Sequence, residues 1–425
     1  MHMKFSNFGK RLLAAASCAT VALMISSCGA SNTVDFLYVT SNKSNPGQIN
    51  VFVVDSESGA LRQIADSPYP SGGRNPVYEV AAPSGKFLYV ANHDDNTLVM
   101  FAIGTDGKLY PLQTVTTPGT EPVALALSPS GSELYVLDYY APAAPGQPSY
   151  TDLNPGPGAV IAYAVDPTKG LIGSVLTQGT ADYLPVQCFP SSLTATADGN
   201  YVYVTNTNAV VVTTSPPVTG TVPTLPASCP AYGTVSGFAV TSSGSGSSQT
   251  VTGLTSVGNP FSTGAGSEPT GIIADPASGS IYVTDSALNR LYTFGIGSGG
   301  MLSLTATVGT GTMPMGGTVV DNSGGKFLYI SNYTDGSLGV YSLASGTPSQ
   351  VATSNSGGAG PLCVLADPNL SRFLYIADYI GGSVGGIHLG SNNGSLVTNQ
   401  GSPYSTSGQP TCVAAITHAG NRSGL

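Results

Sequence analysis

Phe87-Leu88-Tyr89-Val90 is one of seven copies of the same short strand. It returns as Phe36-Leu37-Tyr38-Val39, Glu133-Leu134-Tyr135-Val136, Tyr201-Val202-Tyr203-Val204, Ser280-Ile281-Tyr282-Val283, Phe327-Leu328-Tyr329-Ile330 and Phe373-Leu374-Tyr375-Ile376. The tyrosines stand 51, 46, 68, 79, 47 and 46 residues apart. A period of about 46 residues is what four strands per blade of a β-propeller require.

The surroundings of each copy repeat in the same order. An apolar strand and a Pro/Ser-Gly turn precede it, as in Val123–Ser128 and Pro129-Ser130-Gly131. An alternating strand follows a polar loop, as in Leu98-Val99-Met100-Phe101-Ala102-Ile103, and a fourth follows a Gly turn, as in Leu109–Val115. Period-2 alternation between Gly-bearing turns is the pattern of an antiparallel meander. We label the strands A to D from the propeller axis outward. No helical spacing of Leu, Glu and Lys competes with this pattern after residue 30. The fold expected is all-β, a seven-bladed β-propeller spanning 35–417, with an eight-residue tail, 418–425.

The chain ends predict how the ring closes. The first blade begins directly on its B strand, and Pro410-Thr411-Cys412-Val413-Ala414-Ala415-Ile416 copies the A strand Pro361-Leu362-Cys363-Val364-Leu365-Ala366 with nothing after it. That last strand is expected to complete blade 1 and cover an open sheet edge. The two long spacings place insertions in B–C loops, at Ala141–Pro157 in blade 3 and about Ala209–Tyr232 in blade 4. Long loops of this kind are often functional.

Residues 1–28 read as a secretory leader. Lys4, Lys10 and Arg11 precede the apolar run Leu12 to Ile25, which is too short to span a bilayer. The run ends in Ile25-Ser26-Ser27-Cys28, which resembles the bacterial lipobox. That resemblance implies acylation of Cys28, and Gly29 after it implies sorting to the outer membrane. Residues 29–34 would be a tether, and acyl chains would supply stable anchoring. The expected setting is therefore extracytoplasmic, with the membrane as a partner through the anchor.

Charged residues are only 8% of the chain, against about 25% in typical soluble proteins. The formal charge is −9; without the leader's three cations, 10 cations face 22 anions, giving about −12. A surface of that sign disfavours nucleic acid and anionic ligands. Once the leader and Cys28 are set aside, Cys188, Cys229, Cys363 and Cys412 remain in an oxidising compartment. Cys188 and Cys229 map to one face of one blade and are expected to bond. Cys363 and Cys412 occupy equivalent inner-strand positions of neighbouring blades, which leaves a disulfide or two small buried side chains open. No His or Cys spacing suggests a metal, and no fingerprint suggests a cofactor. Gly381-Gly382-Ser383-Val384-Gly385 matches a hydrolase motif, but it enters a C strand and not a strand-to-helix elbow.

Tyr203-Val204-Thr205-Asn206 and Tyr329-Ile330-Ser331-Asn332 resemble the blades of YVTN-type propellers and of the lactonase-like family. That family includes propeller 6-phosphogluconolactonases and carboxymuconate cyclases. The resemblance implies His, Arg and Glu around the channel mouth, with a His shortly after the inner-strand proline. Here Pro122-Val123-Ala124-Leu125, Pro190-Ser191-Ser192-Leu193 and Pro269-Thr270-Gly271-Ile272 carry none.

Two functional readings follow. The favoured one is a non-catalytic, lipid-anchored monomer binding an envelope protein or a neutral ligand such as a glycan on its loop-rich face. The alternative is a lactone hydrolase or cyclase using Glu79, Arg74 and His93. Glu79 replaces the Leu, Ile or Val of other inner strands, so burial would raise its pKa and suit it to general-base work. Asn92, Asp138 and Asp378 end B strands and either line the mouth or tie down their own loops. Tyr139, Tyr140, Tyr333 and Tyr379 offer stacking faces, and Arg290 a cation.

Overall fold

The computed structural model describes residues 33–418 except 43, 153, 177–180, 208–228, 231, 245–249, 277–278, 391 and 393. Cys28, the leader, most of the tether and most of the blade 4 insertion therefore lie outside the described residues. Seven antiparallel sheets form a ring, each with the order A-B-C-D. In blade 2 these strands are Pro76–Ala81, Phe87–Asn92, Thr97–Ile103 and Leu109–Thr116. In blade 3 the A and B strands are Thr120–Leu127 and Glu133–Tyr140.

The repeated strand explains itself once the blades sit side by side. Each tyrosine is buried, and in blades 1, 2, 4 and 7 its hydroxyl donates to a glycine carbonyl in the C–D turn of the next blade, whereas Tyr282 bonds Asp275 of its own blade at 3.0 Å. Tyr38 reaches Gly107 at 3.1 Å, Tyr89 reaches Gly170 at 2.8 Å, Tyr203 reaches Gly300 at 2.8 Å and Tyr375 reaches Gly59 at 2.9 Å. Phenylalanine would fill the same space but leave that carbonyl unpaired in the core. The aromatic residue two positions earlier packs over the same turn. Gly107 sits at φ 80°, and a Cβ there would fall on the ring of Phe36, so both backbone and space demand glycine. One tripeptide thus carries both the packing and the polar link between neighbours.

Ring closure follows the sequence reading. Pro410–Thr417 pairs with Thr33–Ser41 as the A strand of blade 1. Thr411 Oγ1 then donates to the Pro76 carbonyl of blade 2 at 2.9 Å. Ser191 and Thr270 make the same bond to the next blade's inner proline, Pro269 at 2.7 Å and Pro314 at 2.8 Å. The edges of the propeller shift slightly from expectation. Thr33 pairs with Asp55, and His418 N–H donates to Val34 O at 2.8 Å. Thr33, Val34 and His418 therefore belong to the propeller, not to tether or tail, because the first and last strands extend each other's ladder.

Both cysteine pairs are disulfides. Cys188–Cys229 has a Cα separation of 5.3 Å and holds the end of the blade 4 insertion against Phe189 and Tyr139. Cys363–Cys412 has a Cα separation of 5.1 Å, inside the span of about 4.4–6.8 Å that a disulfide needs. This resolves the alternative left open above: inner strands converge at the axis closely enough for neighbours to bond. The bond joins blade 7 to the closing strand.

Candidate active site at the channel mouth

The B–C loops and the D–A crossovers meet on one face, around the entrance to the axial channel. In blade 2 the B–C loop is a single 3₁₀ turn, His93–Asp95. His93 Nδ1 lies 2.8 Å from Asp94 Oδ1, and its Nε2 lies 3.8 Å from Glu121 Oε2 of blade 3. Asn75 Nδ2 also donates to Asp94 Oδ1 at 3.0 Å, and Asn42 Nδ2 donates to Asn75 Oδ1 at 3.2 Å. Burial would raise the Asp94 carboxyl, but the bonds from Asn75 and His93 and the nearby charges hold it below its usual range. An ionised Asp94 accepts a hydrogen bond from Nδ1–H, which leaves Nε2 as the acceptor nitrogen facing Glu121.

Glu121 is placed by its backbone. It immediately precedes the inner-strand Pro122 and has φ 59°, and its N–H donates to Asn96 Oδ1 at 2.7 Å. Asn75, Phe189 and Met313 hold the same place before Pro76, Pro190 and Pro314, with φ 51°, 53° and 58°. The left-handed turn is therefore part of the blade design, and it costs about 1–3 kcal/mol at each non-glycine position. The Glu121 carboxyl is pushed up, first by burial and then by Asp152 and Asp94, with His93 opposing. Asp152 belongs to the blade 3 insertion and accepts from Tyr140 Oη at 3.0 Å. The ring of Tyr139 packs edge-on to Tyr140 at 4.8 Å and tilted to Phe189 at 5.9 Å.

Arg74 joins this rim through its partner. Its Nε lies 2.6 Å from Asp95 Oδ1, and one Nη donates to Asp94 O at 2.9 Å. Glu79 does not join it. It lies in the channel wall with Leu125, Leu193, Ile272, Val364 and Val413, and is only 2% exposed. Its Oε1 accepts Thr40 N–H across the blade 1–2 boundary at 3.1 Å, while Oε2 has no partner. Burial pushes its pKa well above the usual range, with the Thr40 bond opposing. Of the three residues of the alternative reading, Arg74 and His93 sit at the rim and Glu79 does not converge with them; Glu121 is the carboxylate beside His93. Strand geometry sets Glu79 about 10 Å deeper, three residues below Pro76.

The other expected ligand-face residues divide by burial. Asn92, Asp138 and Asp378 are fully buried and tie each blade to its incoming crossover. Ser71 donates to Asn92 at 2.9 Å, Gly119 N–H to Asp138 at 2.8 Å and Ser356 to Asp378 at 2.9 Å. They are structural, because the strand ends beneath the crossover and not beside the opening. In blade 1 Ser41 takes this buried place, and Asn42, one residue on, reaches the rim. Tyr333 and Tyr379 are half-buried, held by N–H bonds to Met313 O and Gly360 O. Arg290 is exposed at the start of a C strand, third from the axis.

Glu121, Asp94 and Asp152 were missed from sequence. Aligning the residue before each inner-strand proline would have found Glu121, since that position recurs in the blades. Among the described residues no group of three or more His, Cys, Asp or Glu side chains is arranged to hold a metal ion.

Residues 77–140 match the family described as lactonase, 7-bladed β-propeller. The likeness to the lactonase-like propellers holds. The matched stretch contains His93, Asp94 and Glu121. A 6-phosphogluconolactonase from Formosa agariphila is 37% identical over 76 residues, covering 17% of this chain. That match spans about a fifth of the relative's own length, 21%. A periplasmic gluconolactonase from Pseudomonas aeruginosa superposes with a TM-score of 0.65 at 18% identity, covering 90% of this chain and 99% of that one. A 6-phosphogluconolactonase candidate from Bacteroides fragilis gives 0.66 at 17% identity, covering 91% and 99%. At these identities the structural neighbours speak for the fold. The lactonase matches overturn the favoured sequence reading of a non-catalytic binder, which rested on the missing histidines, the scarce cations, the anchor and the inserted loops. His93 reaches the rim from the neighbouring B–C loop instead.

Proposed function

We propose that this protein hydrolyses lactones at the channel mouth, with His93 as general base and Glu121 as its acid partner. The observation that carries the reading is the Asp94–His93–Glu121 line, in which an ionised carboxylate orients the imidazole and a second carboxyl faces its free nitrogen. His93 Nε2 takes a proton from water as the oxygen attacks the lactone carbonyl. Glu121, kept protonated to higher pH by burial and acidic neighbours, delivers a proton to the ring oxygen as it leaves. Arg74 keeps N–H groups beyond those used by Asp95 and Asp94 and lies where a developing oxyanion could be met.

The charge around the site favours a neutral substrate. Arg74 is already paired with Asp95 and the Asp94 carbonyl, and Glu121 lies among further acidic groups, Asp152 and Asp94. A phosphorylated lactone would need a cationic pocket. Anchoring of a monomer through Cys28 to the outer membrane of a bacterium completes the proposal, supported by the lipobox-like Ile25-Ser26-Ser27-Cys28.

The test is hydrolysis of neutral and phosphorylated lactones by the purified protein. Turnover of neutral lactones that vanishes in His93→Gln supports the reading; turnover equal to buffer in a folded sample ends it.

A further inference from the structure

The direction of the first strand fixes the face on which the chain enters the propeller. Thr33–Ser41 runs antiparallel to Gln48–Asp55, with Thr33 opposite Asp55 and Ser41 opposite Gln48. Asp55 opens the C–D turn of blade 1, whereas Ser41 leads into its B–C loop. Thr33 therefore lies on the face of A–B and C–D turns, opposite the rim that carries His93 and Glu121. The nine residues of this strand separate the two faces by about 30 Å at the usual rise.

Only residues 29–32 join Cys28 to Thr33. Fully extended, that stretch reaches at most about 18 Å. Acyl chains on Cys28 can thus lie against the turn face, but they cannot bring the rim to the same surface. The stretch also reaches the outer edge of blade 1, two strand spacings or about 10 Å from Thr33. The side chains of the turn face distinguish a flat seat from an edge-on one.

Lys86 and Arg372 stand in A–B turns of that face, Lys108 and Lys169 in C–D turns, and Lys326 at the start of a B strand. Lys108 is paired with Asp66 and Lys326 with Asp275, while Lys86, Lys169 and Arg372 are exposed. Among the described residues the rim face has only Arg74 and Arg290 as cations. Acids such as Glu57, Asp106, Asp198 and Asp321 share the turn face, so its charge is mixed. The rim is acidic through Asp94, Asp95, Glu121 and Asp152, and anionic headgroups would repel it.

Large apolar side chains are also exposed at these turns. Leu171 and Met301 occupy the C–D turns of blades 3 and 5, and Tyr110 lies just past that of blade 2. An edge-on seat on blade 1 would leave Leu171 and Met301 in water. A flat seat brings them to the lipid with Lys169, whose stem lies along acyl carbon while its ammonium meets phosphate.

We propose that the face of A–B and C–D turns sits flat on a phospholipid surface, so that the channel mouth opens away from the membrane into the aqueous phase. The orientation rests on the proposed acylation of Cys28 and is independent of the hydrolase reading. The test uses the full chain, produced as a lipoprotein and reconstituted in vesicles of phosphatidylethanolamine and phosphatidylglycerol. A fluorophore is attached to one introduced cysteine, and a nitroxide quencher is carried on the lipid headgroups. Ser298→Cys places the label in the C–D turn of blade 5, and Ala287→Cys places it in the B–C turn of the same blade; both positions are exposed. The label at Ser298→Cys should be quenched at least about threefold more, because Ala287 stands about 30 Å farther from the lipid. Ala344→Cys, in the C–D turn of blade 6, should behave like Ser298→Cys and replaces it if that variant does not fold. Thermal unfolding and peptide mapping confirm folding and both native disulfides. Equal quenching at the two blade 5 positions, as an edge-on seat on blade 1 would give, overturns the orientation and leaves the anchor standing. Stronger quenching at Ala287→Cys overturns it as well. Mass spectrometry that finds no lipid on Cys28 overturns anchor and orientation together.

Discussion

The Nε2 of His93 stands 3.8 Å from the Oε2 of Glu121, the two residues coming from neighbouring blades. The histidine is the first residue of a 3₁₀ turn, and the glutamate sits in a left-handed turn ahead of a proline. Neither depends on the other for its backbone. The pair is a product of blade packing.

Replacing His93 by Gln should lower kcat/KM for a neutral lactone by roughly 10²–10⁴-fold, the usual contribution of a general base. Asp94→Asn should lower it less, because Asn75 still orders the loop while the imidazole loses its anionic partner. Steady-state kinetics on both variants, with unfolding curves as control, checks the order of effects.

kcat/KM should fall on the alkaline side of its pH profile as Glu121, whose pKa is raised, loses its proton. In Glu121→Gln the rate should drop and the falling limb should disappear. A limb that persists in this variant would assign the acid elsewhere.

Stability should fall as pH rises from about 4 to about 8. Burial raises Asp35 to about 8, with Asp367 adding to it, and raises Asp138 to about 8 and Asp378 to about 7 against the hydrogen bonds each accepts. Each folded-state pKa lies above its unfolded value of about 3.9, so the folded state holds more protons through this window. The contribution is therefore complete below the unfolded pKa and is lost as pH climbs through the folded one. Asp55 and Asp198 shift the other way, net downward because hydrogen bonds outweigh burial, and lose their contribution only in stronger acid. Neither Asp35 oxygen has a hydrogen-bond partner, so Asp35→Asn should stabilise by roughly 2–5 kcal/mol at pH 8 and change little at pH 4. Thermal unfolding across pH 4–9 reads both slopes.

Removing the Cys363–Cys412 bond should cost about 2–4 kcal/mol, because it closes a sequence separation of 49 residues and joins the last blade to the closing strand. Cys363→Ala with Cys412→Ala, compared with the parent by denaturant unfolding under oxidising conditions, measures this. Equal stability would mean that the strand pairing alone closes the ring.

Tyr89→Phe should destabilise by about 1–3 kcal/mol, since the Gly170 carbonyl loses a buried donor at 2.8 Å. Tyr292 Oη bonds Asp285 within its own blade and so offers a local comparison. Unfolding midpoints of both Phe variants separate links between blades from links within one.

The seven blades, their strand order and the closure by Pro410–Thr417 were legible in the amino-acid sequence because their causes are local and repeated. An aromatic residue, a tyrosine two positions later and a turn glycine in the following unit write the same contact into blades 1, 2, 4 and 7. The tyrosine hydroxyl and the glycine carbonyl can satisfy each other only between adjacent blades, so the repeat specifies a ring. The site was legible in part. His93 and Arg74 stood out as scarce residue types, but nothing in their spacing showed that Asp94, Asp95 and Glu121 would be their partners. Glu79 stood out for breaking an apolar pattern, yet its head turns to Thr40 and is buried away from the rim. The Cys363–Cys412 bond was equally undecided, for it depends on how closely inner strands converge at the axis. Sequence period determines which strands form and in what order, since each hydrogen bond and turn is set within a few residues. Only the packed ring decides which side chains from different blades meet, because that depends on the twist and spacing of sheets that no local pattern encodes.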